Sequence, residues 1–189
     1  MTGKTHRTIG LLTGGGYFLA TAKPEYQPAI FAFAIAAAYL GSLIPDADDA
    51  SADIWHTLPL GHAVGKITDP LLKHRNISHS LVGILVYSFI LFWILKSMPQ
   101  YWGISIMPVM ISSSIAYSSH LIADSFTIEG IPILWPWKRM FGIPPKPFDG
   151  IRIQTGKWFE NLVIFPAANL ILIILVVLYW QKIKSLFLK

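Results

Sequence analysis

The chain reads as an all-α, polytopic membrane helix bundle forming a single domain, with about five transmembrane segments and a polar site at one membrane face. Three observations predict this. Of 189 residues, 53% are hydrophobic and only 13% charged, where an ordinary soluble domain carries roughly 25% charged residues. The apolar residues fall in five blocks, 8–22, 28–44, 80–97, 104–124 and 161–180, each close to the ~20 residues that cross a hydrocarbon core. Histidines and carboxylates gather at one end of those blocks.

The first block is loosened by Gly14-Gly15-Gly16, and no small-residue cleavage site follows it, so it is not a signal peptide. Lys23-Pro24-Glu25 then turns the chain. The second block is rich in alanine, which suits close helix packing. The fifth contains Ile171-Leu172-Ile173-Ile174-Leu175-Val176-Val177-Leu178 and carries Tyr179-Trp180 at its interfacial end. Two polar stretches, 45–80 and 131–160, interrupt the blocks; Leu134-Trp135-Pro136-Trp137 and Trp158-Phe159 suit headgroup depth.

If every block crosses, the N-terminus and both polar stretches share one face. That face holds Lys4, Arg7, Lys66, Lys73, Arg75, Lys138, Arg139, Lys146, Arg152 and Lys157, against Lys23, Lys96, Lys182, Lys184 and Lys189 opposite. The excess of positive charge makes the first face cytoplasmic. The net charge of +5 is then a match to anionic headgroups rather than to nucleic acid. The absence of cysteine excludes disulfides and thiolate metal sites, leaving N and O ligands for any cation.

The polar clusters lie on that same face. His6 precedes the first block, Pro45-Asp46-Ala47-Asp48-Asp49 ends the second, and His74-Arg75-Asn76-Ile77-Ser78-His79-Ser80 opens the third. His120 and Asp124 close the fourth, four residues apart and so on one helix face, and Glu160 opens the fifth. The opposite ends offer Lys23, Glu25, Lys96 and Gln181, without His or Asp. Simple helix capping would distribute polar groups to both ends. Carboxylates at a helix C-terminus are also unfavourable unless a positive charge compensates, which applies to Asp46, Asp48 and Asp49. A solvated acidic turn is the plain alternative there. His74 and His79 converge only if His74 stays in the loop and His79 enters the first turn, with Asn76 or Ser78 as N-cap. Taken alone, His6 is more often an ordinary exposed histidine, and Glu160 a first-turn carboxylate favoured by the helix dipole.

Sulfur-free His/Asp/Glu ligation suits hydrolytic zinc, manganese or ferrous iron, often as two ions sharing a carboxylate. His6, Asp46, Asp48, His74, His79, His120, Asp124 and Glu160 supply enough donors for two divalent ions. No H-E-x-x-H, P-loop, G-x-S-x-G or dinucleotide-binding glycine motif is present.

The order His6, Pro45-Asp46-x-Asp48, His74-Arg75-x-x-x-His79-Ser80, Ser119-His120-x-x-x-Asp124 and Gly130-x-Pro132-x-x-Trp135-Pro136 resembles the YdjM-type family. Its members are bacterial inner-membrane proteins described as LexA-regulated or membrane-bound metal-dependent hydrolases. The resemblance runs from His6 to Glu160, and the family is in turn distantly similar to zinc phospholipase C. It implies that His120 and Asp124 are ligands with Asp124 bridging, and that His79 and Asp46 complete one site. Zinc is the expected ion, as a pair; where the family often reads Pro-Asp-x-Asp-His, this chain has Asp49, and if that position is a ligand the oxygen in place of a nitrogen tilts preference toward manganese.

The expected function is hydrolysis of a phosphoester in a lipid or lipid-linked substrate at the bacterial inner membrane, through water activated at a two-metal His/Asp site. Arg75 is the expected phosphate clamp. Asp48 or Asp49 is the expected general base or a carboxylate orienting a histidine, and Trp135, Trp137 and Phe148 border the lipid approach. Two rivals are a membrane scaffold stapled by a structural metal and a divalent-metal transporter. A transporter would place its ligands at mid-span with polar residues continuing beyond, and here only Ser112-Ser113-Ser114 and Ser118-Ser119 hint at such a path.

Overall fold

The first helical stretch begins earlier than the apolar block that announces it. In the computed structural model, α1 (Gly3–Gly10), a π-helical turn (Leu11–Gly15) and α2 (Gly16–Thr21) run without a break. The structure describes residues 1–23, 25–49, 51–57, 76–98 and 105–188. Helix starts at Gly3 because the Thr2 carbonyl accepts from Thr5 N (3.0 Å) and His6 N (3.1 Å), so His6 lies inside the helix rather than ahead of it. The π turn falls beside the glycines, where Thr13 Oγ1 bonds back to the Ile9 carbonyl at 2.9 Å, a competitor that widens helices.

α3 (Pro28–Gly41) opens with proline at its first position, where the missing N–H costs nothing. Its apolar block does not continue as α-helix: a 3-10 turn, Ile44–Asp48, carries Asp46 and Asp48, and short α4 (Asp53–Thr57) follows. α5 (Leu81–Ser97) is capped by Ser80, whose Oγ accepts from Gly83 N at 3.1 Å. The expected caps, Asn76 and Ser78, do not serve, because Ile77–His79 forms its own 3-10 turn and Ser80 is the extended residue that follows. α6 (Ile106–Ser125) is the long central helix; α7 (Phe165–Leu178) grows out of a π turn at Glu160–Ile164, and α8 (Trp180–Phe187) ends the fold. Among the described residues there is no strand, only two isolated bridges, Thr127 with Ile153 and Ile131 with Phe141.

Among the described residues, two helices are long and apolar enough to cross a membrane, Ile106–Ser125 and Glu160–Leu178, fewer than the five blocks suggest. Pro28–Gly41 and Leu81–Ser97 are apolar but shorter, α3 because its block bends away at the 3-10 turn. The two long helices differ in surroundings: 56% of the α6 window is buried against 6% for Glu160–Leu178. α6 is therefore the axis against which α1, α3 and α5 pack.

Small residues set that packing. A Cβ at Gly41 would stand 2.5 Å from Ser113 Oγ, and one at Gly14 2.9 Å from Ala38 Cβ, so both positions keep backbones in near contact. Hydroxyls then link the helices: Ser113 Oγ donates to the Ala37 carbonyl at 2.6 Å, leaving Tyr87 to donate to Ser113 at 2.5 Å. Farther along, Phe18, Leu19, Ile30, Ala34, Val109 and Leu186 form the apolar core. Leu85, Phe89 and Trp93 of α5 and Leu170, Ile173 and Val177 of α7 face outward. Residues 126–159 form a turn-rich cap at the end of the bundle, pinned by Arg152, which donates to the Pro144 carbonyl at 2.8 Å and the Gly142 carbonyl at 3.2 Å.

Candidate metal centre

Five helix ends meet beneath that cap: the starts of α1, α5 and the Glu160–Leu178 helix, and the ends of α3 and α6. At their junction Asp46, His79, His120 and Asp124 offer ligand atoms that all lie within 4.8 Å of one another. Four atoms close a ring. Asp46 Oδ1 is 3.5 Å from His79 Nε2, which is 3.6 Å from Asp124 Oδ2. Asp124 Oδ2 is in turn 3.7 Å from His120 Nε2, and that nitrogen is 3.4 Å from Asp46 Oδ1. A tetrahedral ion bonded at ~2.0–2.2 Å holds its ligand atoms roughly 3.3–3.6 Å apart. The four observed edges, 3.4–3.7 Å, are close to that spacing, so this group could hold a metal ion.

The histidines are oriented from behind. His120 Nδ1 lies 2.7 Å from the Ser42 carbonyl, an acceptor that requires the proton on Nδ1 and leaves the Nε2 lone pair facing the ring. His79 Nδ1 lies 3.1 Å from Ser78 Oγ and 3.9 Å from Asp48 Oδ2, and Ser78 donates to that same carboxylate. Asp48 thus stands behind His79 instead of in the ring. Ser42 and Ser78 are contributions that sequence reading missed; the position of Ser78 beside His79 was its only signal.

His6 is fully buried and stacks on His120, with ring centroids 3.5 Å apart and planes 12° from parallel. Its Nε2 is 3.1 Å from Asp124 Oδ1, yet neither ring nitrogen of His6 nor Nε2 of His120 has a hydrogen-bond partner. Buried polar atoms are seldom left so, and cations at this junction would satisfy the Nε2 atoms of His6 and His120. Asp124 serves both sides: Oδ2 faces the ring, while Oδ1 meets His6 and pairs with the Met1 ammonium.

Electrostatics follow from proximity. Burial alone would raise the Asp46 pKa, but His120 and then His79 hold its carboxyl well below the usual carboxylate range. Burial alone would likewise lower that of His79; the carboxylates of Asp124 and Asp46 beside it outweigh burial and lift the imidazole to about 9. That shift favours the protonated imidazole in the metal-free protein.

The remaining predicted residues fall elsewhere. Glu160 is buried and its oxygens are engaged: Oε1 accepts from Thr2 N (2.7 Å) and Thr2 Oγ1 (2.6 Å), and Oε2 from Gly156 N (2.7 Å). It satisfies the open N–H at the start of α1 and anchors that helix, and it is not among the four grouped donors. Asp49 Oδ1 accepts from Ser51 N (2.8 Å) and Ser51 Oγ (2.7 Å) in a local turn. It lines the mouth of a cavity of about 330 Å³ that also touches Asp46 and Asp124. His74 and Arg75 lie outside the described residues. Trp135 is in the cap, while Trp137 and Phe148 are exposed on it.

The model of the YdjM inner membrane protein family matches residues 1–184 of this chain. YvsG of Bacillus subtilis (strain 168) is 28% identical over 166 residues, which cover 87% of this chain and 88% of that protein. The inner membrane protein YdjM of Escherichia coli (strain K12) is 30% identical over 115 residues, 58% of this chain and 53% of that protein. The chain thus aligns with about half the length of the Escherichia coli protein. No solved structure matches.

Proposed function

This chain belongs to the YdjM inner membrane protein family, and we propose that it is a bacterial inner-membrane, metal-dependent hydrolase acting on a phosphoester of a lipid or lipid-linked substrate. In this reading all five helical stretches are embedded, the two long helices spanning outright, with the ring of donors toward the cytoplasm. Asp46, His79, His120 and Asp124 hold one divalent ion, zinc or manganese, and His6 with Asp124 Oδ1 marks the second position. Such ions supply the acidity that ionises a water and the positive charge that neutralises a phosphoryl group.

The chain's own residues do the rest. Ser42, Ser78 and Asp48 fix the imidazole orientations. Asp49, at the cavity mouth, is the carboxylate assigned to accept a proton, and Arg75 is assigned to the phosphate. The observation that carries the proposal is the open side of the ring: Asp46 and Asp124 both line the 330 Å³ cavity, so substrate has a way to the donors. One observation favours a structural site instead. Four protein donors within 4.8 Å of one another are a complete set for zinc without water.

Metal analysis of purified protein, with hydrolysis of a phospholipid panel by wild type and Asp124→Ala, tests the proposal. Loss of both metal and activity in the variant is the expected result. Metal loss with no wild-type activity against any phosphoester would leave the scaffold reading. A cobalt-substituted protein with a purely four-coordinate protein shell would do the same.

A further inference from the structure

Three cavities line up along the outer wall of α6, away from the ring of donors. The first, about 600 Å³, lies in the cap among Glu129, Arg139, Lys146, Asp149 and Arg152. The second, about 490 Å³, is walled by Leu81, Ile84, Leu121, Ile122, Ile131 and Ile133, and shares Phe141 and Gly142 with the first. The third, about 400 Å³, shares Ser118 and Ile122 with the second and continues past Ile115 and Ile111 to Met110. None of Asp46, His79, His120 and Asp124 lines any of them.

Chemistry changes in one direction along this path. The hydroxyls facing the lower cavities are spent on neighbours. Ser118 bonds the Ser114 carbonyl, Ser119 the Ala116 carbonyl, Ser125 the Ile122 carbonyl and Thr13 the Ile9 carbonyl, while Ser88 pairs with Ser114. The trough therefore presents an effectively apolar wall. Ile122 is 61% exposed on it, in a helix otherwise largely enclosed. From Ser125 to Met110 it follows fifteen residues of α6, about 22 Å at 1.5 Å per residue. Half of a ~30 Å hydrocarbon core is roughly 15 Å, so the trough is long enough for a full acyl chain.

The mouth carries both signs of charge. Arg152 is committed to the Pro144, Gly142 and Ile128 carbonyls. Arg139, stacked over the Phe141 ring where the first two cavities meet, and Lys146 are the cations facing a ligand. Asp149 faces the same space. A purely anionic head would set its phosphate against that carboxylate. A phosphate carrying a primary ammonium complements both signs of charge, and its N–H groups can donate to a carboxylate as a quaternary amine cannot.

We propose that this trough binds one aminophospholipid of the bilayer, its phosphoethanolamine head in the charged mouth and an acyl chain along α6, as a bound ligand that is not turned over. The site is independent of the hydrolase reading. Native mass spectrometry of the full chain in detergent, titrated with phosphatidylethanolamine, phosphatidylglycerol and phosphatidylcholine, tests it. One phosphatidylethanolamine should be retained in preference to the other two. Each cation beside a lipid phosphate is worth roughly fivefold in affinity, so Arg139→Gln with Lys146→Gln should weaken retention about 25-fold.

Lys182→Gln with Lys184→Gln, an equal charge change on α8, should leave retention unaltered, and so should Asp124→Ala at the ring. Asp149→Asn should erase the preference over phosphatidylglycerol, and Ser118→Phe, which fills the trough, should reduce binding of every phospholipid. Equal retention of phosphatidylglycerol and phosphatidylethanolamine by wild type would overturn the proposal. So would equal losses in the two charge variants, or equally tight binding of chain-free glycerophosphoethanolamine.

Discussion

Metal binding at the ring should displace a proton from His79, and the structure sets how much. With its pKa lifted to about 9 between Asp124 and Asp46, the imidazole is about 99% protonated at pH 7 in the metal-free protein, and a cation can take Nε2 only after that proton leaves. The raised pKa means that the protonated form competes. Affinity should therefore rise about tenfold per pH unit from 7 to 9, about 100-fold in all, and level off above 9. Manganese(II) titrations of chelator-stripped protein at each pH give the affinities. Calorimetry in two buffers of different protonation enthalpy counts the protons: about one per ion at pH 7, falling toward none at pH 10. Affinity flat from pH 7 to 9 with no proton release would refute the reasoning, because it would mean that His79 is neutral in the free site or is not a ligand.

Four further outcomes follow from the same geometry. Metal-free protein should lose stability as pH rises from about 6.5 through 9, because the contribution of a raised His79 pKa is complete below its unfolded value and vanishes above its folded one; thermal unfolding across that range checks it. Asp48→Asn should weaken metal affinity about 10–100-fold without changing stoichiometry, since it disturbs the Ser78–His79 orientation and removes no donor from the ring. Glu160→Gln should destabilise the fold by about 1–3 kcal/mol through its lost hydrogen bonds to Thr2 and Gly156, while the equilibrium metal content measured at saturation stays at the wild-type value. Gly41→Ala should cost about 1–3 kcal/mol in chemical unfolding, because its Cβ would stand 2.5 Å from Ser113 Oγ and 2.6 Å from the Ser113 carbonyl.

The ring was legible in the sequence for a reason that separates it from the residues that were not. His120 and Asp124 share a helix face at a spacing of four, and Asp46 and His79 flank apolar blocks at the same end of the bundle; periodicity and block boundaries are local signals, and they sufficed to place these four near one depth. Glu160 satisfied the same criterion, yet it meets the α1 backbone. Membrane depth fixes one coordinate of a side chain, whereas direction around the helix axis depends on what packs beside it. Asp48 shows the same limit within one turn: two residues from Asp46 on a 3-10 turn, it points behind His79 while Asp46 points into the ring. The lengths of the helices were misjudged where apolar composition outran α-helical geometry, as at Gly41, after which the 28–44 block turns into the 3-10 segment that carries Asp46. That turn is what a straight five-span reading lacks, and it is also what brings Asp46 Oδ1 to within 3.5 Å of both histidine nitrogens in the ring. A helix running on through residue 44 and beyond would present Asp46 and Asp48 about 200° apart, with nothing to turn the first toward α6. The shortened α3 and the assembled site are thus one structural event.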